Sequence, residues 1–161
     1  MLGIKLINRN NKPVNVTGYN AEGFKDLVAV PYVKLGRTYS YGGDYAEALE
    51  ALEGRTRIIS LNEMIAELTG AETGAVPGKG QYIVTSDDGT YGAACILTKK
   101  AKRRLAEIFP EGYIILPSSI HEVIAVSVTE ISEEDARTMV SEVNDTRVAP
   151  EDRLSYNVYR F

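Results

Sequence analysis

Apolar and polar positions repeat with two different periods along this chain, and the change of period marks its elements. Four stretches carry apolar residues at the spacing of one helix face: Tyr45, Ala48, Leu49 and Leu52; Leu61, Met64, Ile65 and Leu68; Ala101, Leu105, Ile108 and Phe109; Ala136, Met139, Val140 and Val143. Each follows a residue suited to hold free N–H groups of a first turn: Asp44, Ser60 in a capping box with Glu63, Thr98, and Ser132 with Asp135 behind it. Gly54, Gly70 and the pair Pro110 and Gly112 supply the stops.

The other apolar runs are short and read as strands. They are Ile4–Ile7, Leu27–Leu35, Tyr82–Ser86, Tyr91–Leu97, the two runs within 113–126, and Leu154–Phe161. Asn8 to Pro13 has loop chemistry, and Pro31 places 27–35 at a sheet edge because it lacks a ladder donor. Asp87-Asp88-Gly89-Thr90 between two apolar runs predicts a hairpin, since both residues of Asp-Gly tolerate positive φ. The second half is thereby ordered ββαββαβ, and the fold class is α+β: a mainly antiparallel sheet with helices packed on one face. Residues 71–80, rich in Gly and without apolar period, read as a flexible connection between an N-terminal lobe, 1–70, and a C-terminal lobe, 81–161. A lobe that small is marginal alone, so the two are expected to share one core as a single domain, 1–161.

Composition narrows the functions. A chain of 161 residues with 44% hydrophobic and 25% charged residues belongs to the ordinary globular class. No apolar run approaches the ~20 residues of a membrane span, and the N-terminus lacks the pattern of a signal peptide. The expected location is the cytoplasm, without membrane contact. A formal charge of −4 argues against general nucleic-acid binding. The single cysteine, Cys95, sits in an apolar run and is expected to be a buried thiol.

The one histidine lies where candidate chemistry concentrates, in the polar corner Pro117-Ser118-Ser119-Ile120-His121-Glu122 between two apolar runs. His121-Glu122 lacks the second histidine of a zinc-peptidase helix, its fourth following residue being Ala125, and no metal or cofactor is expected. Ser119 and His121 share a face of an extended segment, which leaves open a hydrolase using Ser119, His121 and Glu122. No nucleophile-elbow pattern accompanies them. The alternative is a structural corner in which His121 bonds a neighbouring partner. Gly74 to Gly80 is one residue short of a phosphate loop and has Gly80 where Ser or Thr belongs. Asp87-Asp88-Gly89 lacks the alternating ligands of a calcium loop. Lys99, Lys100, Lys102, Arg103 and Arg104 crowd the first turns of a helix, where the macrodipole disfavours cations. They form either a solvated face or a contact for an acidic protein or phosphate-bearing partner, and without interleaved aromatics they do not favour nucleic acid.

Tyr91-Gly92-Ala93-Ala94, the stretch Ile115 to Ile124, Val143-Asn144 and Leu154-Ser155-Tyr156-Asn157-Val158-Tyr159 together resemble an uncharacterised family of anaerobic gut bacteria and their mobile elements, the domain of unknown function numbered 5688. The resemblance is best over 82–161 and implies an intracellular protein without an established activity. Three readings stand: a non-catalytic cytoplasmic binding or accessory protein, serving a mobile element as the resemblance implies; the hydrolase; and a structural homo-oligomer joined through an exposed edge at Val28 to Leu35.

Overall fold

The computed structural model describes residues 1–70, 80–117 and 119–161. Apart from Gly80, the phosphate-loop likeness at 74–80 and the connection 71–80 lie outside them, as does Ser118. Two antiparallel sheets carry the chain. The first contains β1 (Leu2–Asn8), β2 (Tyr19–Asn20), β3 (Leu27–Leu35) and β4 (Thr38–Tyr41). The second is ordered β5-β6-β8-β7-β9, from β5 (Thr56–Ser60), β6 (Gln81–Ser86), β7 (Tyr113–Leu116), β8 (Val123–Ser127) and β9 (Tyr159–Arg160). The helices are α1 (Tyr45–Glu53), α2 (Leu61–Thr69), α3 (Lys99–Ile108) and α4 (Glu133–Thr146). The class is α+β.

Among the described residues, the four α-helices start at the expected caps. The side chains of Asp44, Ser60, Thr98 and Ser132 accept from the N–H groups of Glu47, Ser60's partner Glu63, Ala101 and Asp135, at 2.9–3.2 Å.

β3 corrects the edge assignment, because it is the central strand of its sheet. β1 pairs along it from Leu27 to Val33; on its other side β2 pairs at Val28 and Ala29, and β4 from Tyr32 to Leu35. Pro31 falls in the gap between β2 and β4. Its carbonyl accepts from Gly42 N–H at 2.7 Å, so its nitrogen faces the same gap, where no strand needs a donor. The edge contact expected for a homo-oligomer at Val28 to Leu35 therefore finds, among the described residues, only the short gap at Val30 and Pro31 open.

The predicted hairpin at 87–90 is also corrected. Gly89 takes φ +74° in a turn, but the chain then enters a 3-10 helix, Gly92–Leu97, instead of a second strand. Both edges of β6 are occupied by β5 and β8, which leaves no ladder for 91–97 to join. The small residues Gly92, Ala93 and Ala94 let the segment coil in the interior, and all six residues are buried. A Cβ on Gly92 would lie 2.3 Å from Thr85 Oγ1, 2.4 Å from Ser86 N and 2.6 Å from His121 O. The order ββαββαβ thus loses its second strand to a 3-10 helix, and the closing strand shrinks from 154–161 to Tyr159–Arg160.

The helices lie on both faces of the second sheet, not on one. Ile115, Val123 and Ala125 join the main core with Leu105 and Ile108 of α3, whereas Ile114, Leu116 and Val126 pack with Ala136 and Val140 of α4. Successive strand residues point to opposite faces, so α3 and α4 must cover opposite sides. The main core draws on both halves: Ile4, Leu6 and Leu27 of the first sheet meet Leu52 of α1, Cys95 to Leu97 and Leu105. β5, from the first half, pairs with β6 of the second.

Candidate functional site

β7 and β8 pair antiparallel, and 117–122 connects them as a corner. Strand partners end there, and backbone from two other places takes over. Ile120 N–H donates to Asp152 O at 2.9 Å, Ser155 N–H to Pro117 O at 3.0 Å, and Ala93 N–H to Ile120 O at 3.3 Å, while Ser119 bridges to Arg153. Pro117 is buried; Ser119, His121 and Glu122 are half-buried.

His121 is held from three sides. Its Nδ1 accepts the N–H of Tyr91 at 3.0 Å, its ring stacks on the Tyr91 ring at 5.6 Å and 11°, and its Nε2 lies 3.5 Å from Asp152 Oδ1. An Nδ1 that accepts a backbone N–H places the proton of the neutral ring on Nε2, facing the carboxylate. Tyr91 itself has φ +53°, the one non-glycine residue with positive φ among those described. The Thr85 hydroxyl donates to His121 O at 2.9 Å.

This arrangement does not assemble the sequence's Ser119, His121 and Glu122 as a nucleophile, base and orienting acid. Ser119 Oγ accepts from the N–H of His121 at 3.0 Å, a local turn bond, and both imidazole nitrogens are turned to other partners. The group behind His121 is Asp152, with Glu122 taking no part in that contact. Sequence reasoning missed Tyr91 and Asp152. Tyr91 stood inside an apolar run and Asp152 in a polar loop, each about thirty residues from His121, and no local pattern connects them.

The basic run forms one wall of a second feature, an open groove of about 710 Å³ between α1 and α3. Ala46 and Leu49 contribute its apolar part, Glu50 and Glu53 its α1 side, and Lys99, Lys100, Arg103, Arg104 and Glu107 its α3 side. Lys102 points elsewhere, to within 3.6 Å of Glu22. The unfavourable placement of cations at a helix N-terminus is offset by Glu53, whose carboxylate accepts the N–H groups of Lys99 and Lys100 at 2.5 and 3.1 Å. Lys100 Nζ donates to Thr56 O at 2.9 Å, and Arg104 lies 3.7 Å from Glu107. The side-chain cations of Lys99 and Arg103 form no ion pair with a carboxylate among the described residues.

Cys95 is fully buried, and burial pushes its thiol up to about 11, so it carries no nucleophile at neutral pH. Among the described residues no group of three or more His, Cys, Asp or Glu side chains could hold a metal ion, and no helix is long and apolar enough to cross a membrane.

The stretches that carry the family resemblance converge on this corner. Tyr91 bonds His121, Gly92 packs against it, Asn144 Nδ2 donates to Ser155 O at 2.9 Å, and Ser155 ties back to Pro117. A family model described as a family of unknown function, DUF5688, matches residues 45–161, reaching upstream of 82 to include α1 and β5, and the chain belongs to that family. No curated protein and no solved structure matches the chain.

Proposed function

Taking membership in DUF5688 as the premise, we propose that this protein is a non-catalytic binding protein of the bacterial cytoplasm, an accessory factor of a mobile element, whose α1–α3 groove receives an acidic segment of a partner protein. The observation that carries this reading is the groove itself: Lys99 and Arg103, whose side chains form no ion pair among the described residues, stand along about 710 Å³ of open space beside the apolar Ala46 and Leu49 and the acidic Glu50, Glu53 and Glu107. A segment alternating carboxylates with an apolar side chain matches both features, giving the charge a partner and Leu49 a cover. The bacterial, cytoplasmic and mobile-element setting rests on the family resemblance. The state of His121 supports a binding role, since an imidazole engaged by Tyr91 N–H and Asp152 is a joint between segments.

The test is fluorescence anisotropy with a labelled peptide of alternating glutamate pairs and leucine. Wild type binds it, binding fades as salt rises to about 0.5 M, and Lys99→Glu with Arg103→Glu abolishes it. Equal affinity in the charge-reversed variant refutes the groove. Turnover of ester, phosphodiester or peptide substrates by wild type, lost in His121→Ala, would overturn the non-catalytic reading.

A further inference from the structure

The face of the first sheet that holds the buried Val28, Val30 and Tyr32, opposite Ile4 and Leu6, carries a different chemistry. Residues opposed in register share a face, and the pairs Lys5↔Val30, Tyr32↔Tyr41 and Lys34↔Tyr39 place Lys5, Val30, Tyr41, Tyr39 and Lys34 together, away from the core face of Ile4 and Leu6. On that face lies a cavity of about 160 Å³. Ile7 of β1, Val30 of β3, Tyr41 of β4, and Pro13 and Val16 of the loop after β1 line it. Lys5 and Asn11 complete the lining, which contains no acidic residue.

Lys5 Nζ stands 4.8 Å from the centre of the Tyr91 ring and 5.8 Å from that of Tyr41, and it meets no carboxylate among the described residues. The pairing of ring and cation is repeated one step along β4, where Lys34 Nζ lies 5.4 Å from the Tyr39 ring. The Tyr39 and Tyr41 rings are nearly parallel, at 12° with centroids 6.1 Å apart, and Tyr41 is 43% exposed. Asp88, whose carboxylate feels the charge of Lys34, is engaged by Arg55, Ser86 and Thr90.

A cavity that joins apolar side chains and an aromatic ring with one amide side chain and a lysine whose ammonium contacts only aromatic rings suits a planar heterocycle that carries an anion. We propose that this cavity is a nucleotide site, taking a nucleobase against Tyr41 with its edge at Asn11 and its phosphate on Lys5. The ligand is either a free nucleotide or one unit of a single strand, whose next base and phosphate would meet Tyr39 and Lys34. The expectation against nucleic acid rested on the net charge of the whole chain and on the absence of aromatics in α3. Here aromatics and lysines interleave on a sheet face that local sequence does not display, and the proposal is independent of the α1–α3 groove.

The experiment titrates the full chain with AMP, GMP, CMP and UMP by two-dimensional NMR, and with labelled eight-nucleotide RNA and DNA strands by anisotropy. Saturable shifts confined to Lys5, Asn11, Val16, Val30 and Tyr41 are expected with at least one mononucleotide or, if the source is a strand, with the octamers alone. Tyr41→Ala weakens binding roughly tenfold while Tyr41→Phe keeps it, Lys5→Gln reduces the salt slope by about one, and Asn11→Ala flattens the preference among bases. Arg137→Gln, on the exposed side of α4, changes nothing. The proposal is overturned if neither mononucleotides nor octamers bind, if inorganic phosphate alone competes as well as the nucleotide, or if Tyr41→Ala binds like wild type with its spectrum otherwise intact. A partner found to be protein at this face, with no nucleotide competing, overturns it as well.

Discussion

Replacing His121 with alanine removes one acceptor and one stacking face, and the structure sets the size of the loss. Tyr91 N–H would lose its bond to Nδ1 at 3.0 Å, in a residue already held at φ +53°. An average net hydrogen bond contributes about 1 kcal/mol. The imidazole is 36% exposed, so water can partly replace it and the loss belongs in the lower half of the range. The stacked pair with Tyr91 adds about 0.5–1 kcal/mol. The Nε2 contact with Asp152, at 3.5 Å between two part-exposed groups, adds little. The expected total is about 1–2 kcal/mol, or roughly 2–8 °C in Tm for a chain of this size. Urea denaturation followed by circular dichroism measures it as a lower midpoint with an unchanged slope. His121→Asn places an amide oxygen near the position of Nδ1 and should recover part of the loss, whereas His121→Gln, whose polar atoms reach farther, should recover less. If all three variants unfold at the wild-type midpoint, the bond to Tyr91 contributes nothing and the structural account of the corner fails.

Gly92→Ala should be far more damaging, costing more than about 3 kcal/mol, because the new Cβ would meet backbone atoms at 2.4 and 2.6 Å that cannot turn aside; near-native stability in denaturant would refute the packing. Burial raises the Asp88 carboxyl, but Thr90 N–H, the Ser86 hydroxyl and Arg55 outweigh it and hold the group below its ordinary value. A depressed folded value means that its stabilisation is present above the unfolded value and is lost as pH falls through the folded one. The Tm difference between wild type and Asp88→Asn should therefore be largest near neutrality and shrink in acid, and a difference that grows in acid would contradict the sign. Cys95, with its thiol pushed up to about 11 by burial, should resist iodoacetamide at pH 8 in the native state and react once the chain is unfolded in urea; rapid native labelling would show an accessible thiol.

The helices were legible in the sequence because each is specified within a few residues. Asp44, Ser60, Thr98 and Ser132 cap N–H groups three positions away, and the apolar stripes of α1, α3 and α4 place Leu52, Leu105 and Val140 in the interior. α2 has an equally regular stripe, yet Ile65 and Leu68 remain 47% and 81% exposed, since periodicity marks a face without supplying a surface to cover it. The turn at Gly89 was legible for the same local reason, while its consequence was not. Whether 91–97 pairs as a strand depends on whether β6 has an edge to offer, and β5 and β8 had taken both. Pro31 reads as an edge signal by itself, but a missing donor matters only where a neighbour needs one, and the gap between β2 and β4 removes that need. His121 could be singled out because no other histidine exists, whereas its role depended on Tyr91 and Asp152, brought from thirty residues on either side. Capping bonds and stripes are short-range terms written into neighbouring residues. Strand order, the covered faces of the second sheet and the partners of His121 are settled by which edges and surfaces remain open once the whole chain has packed.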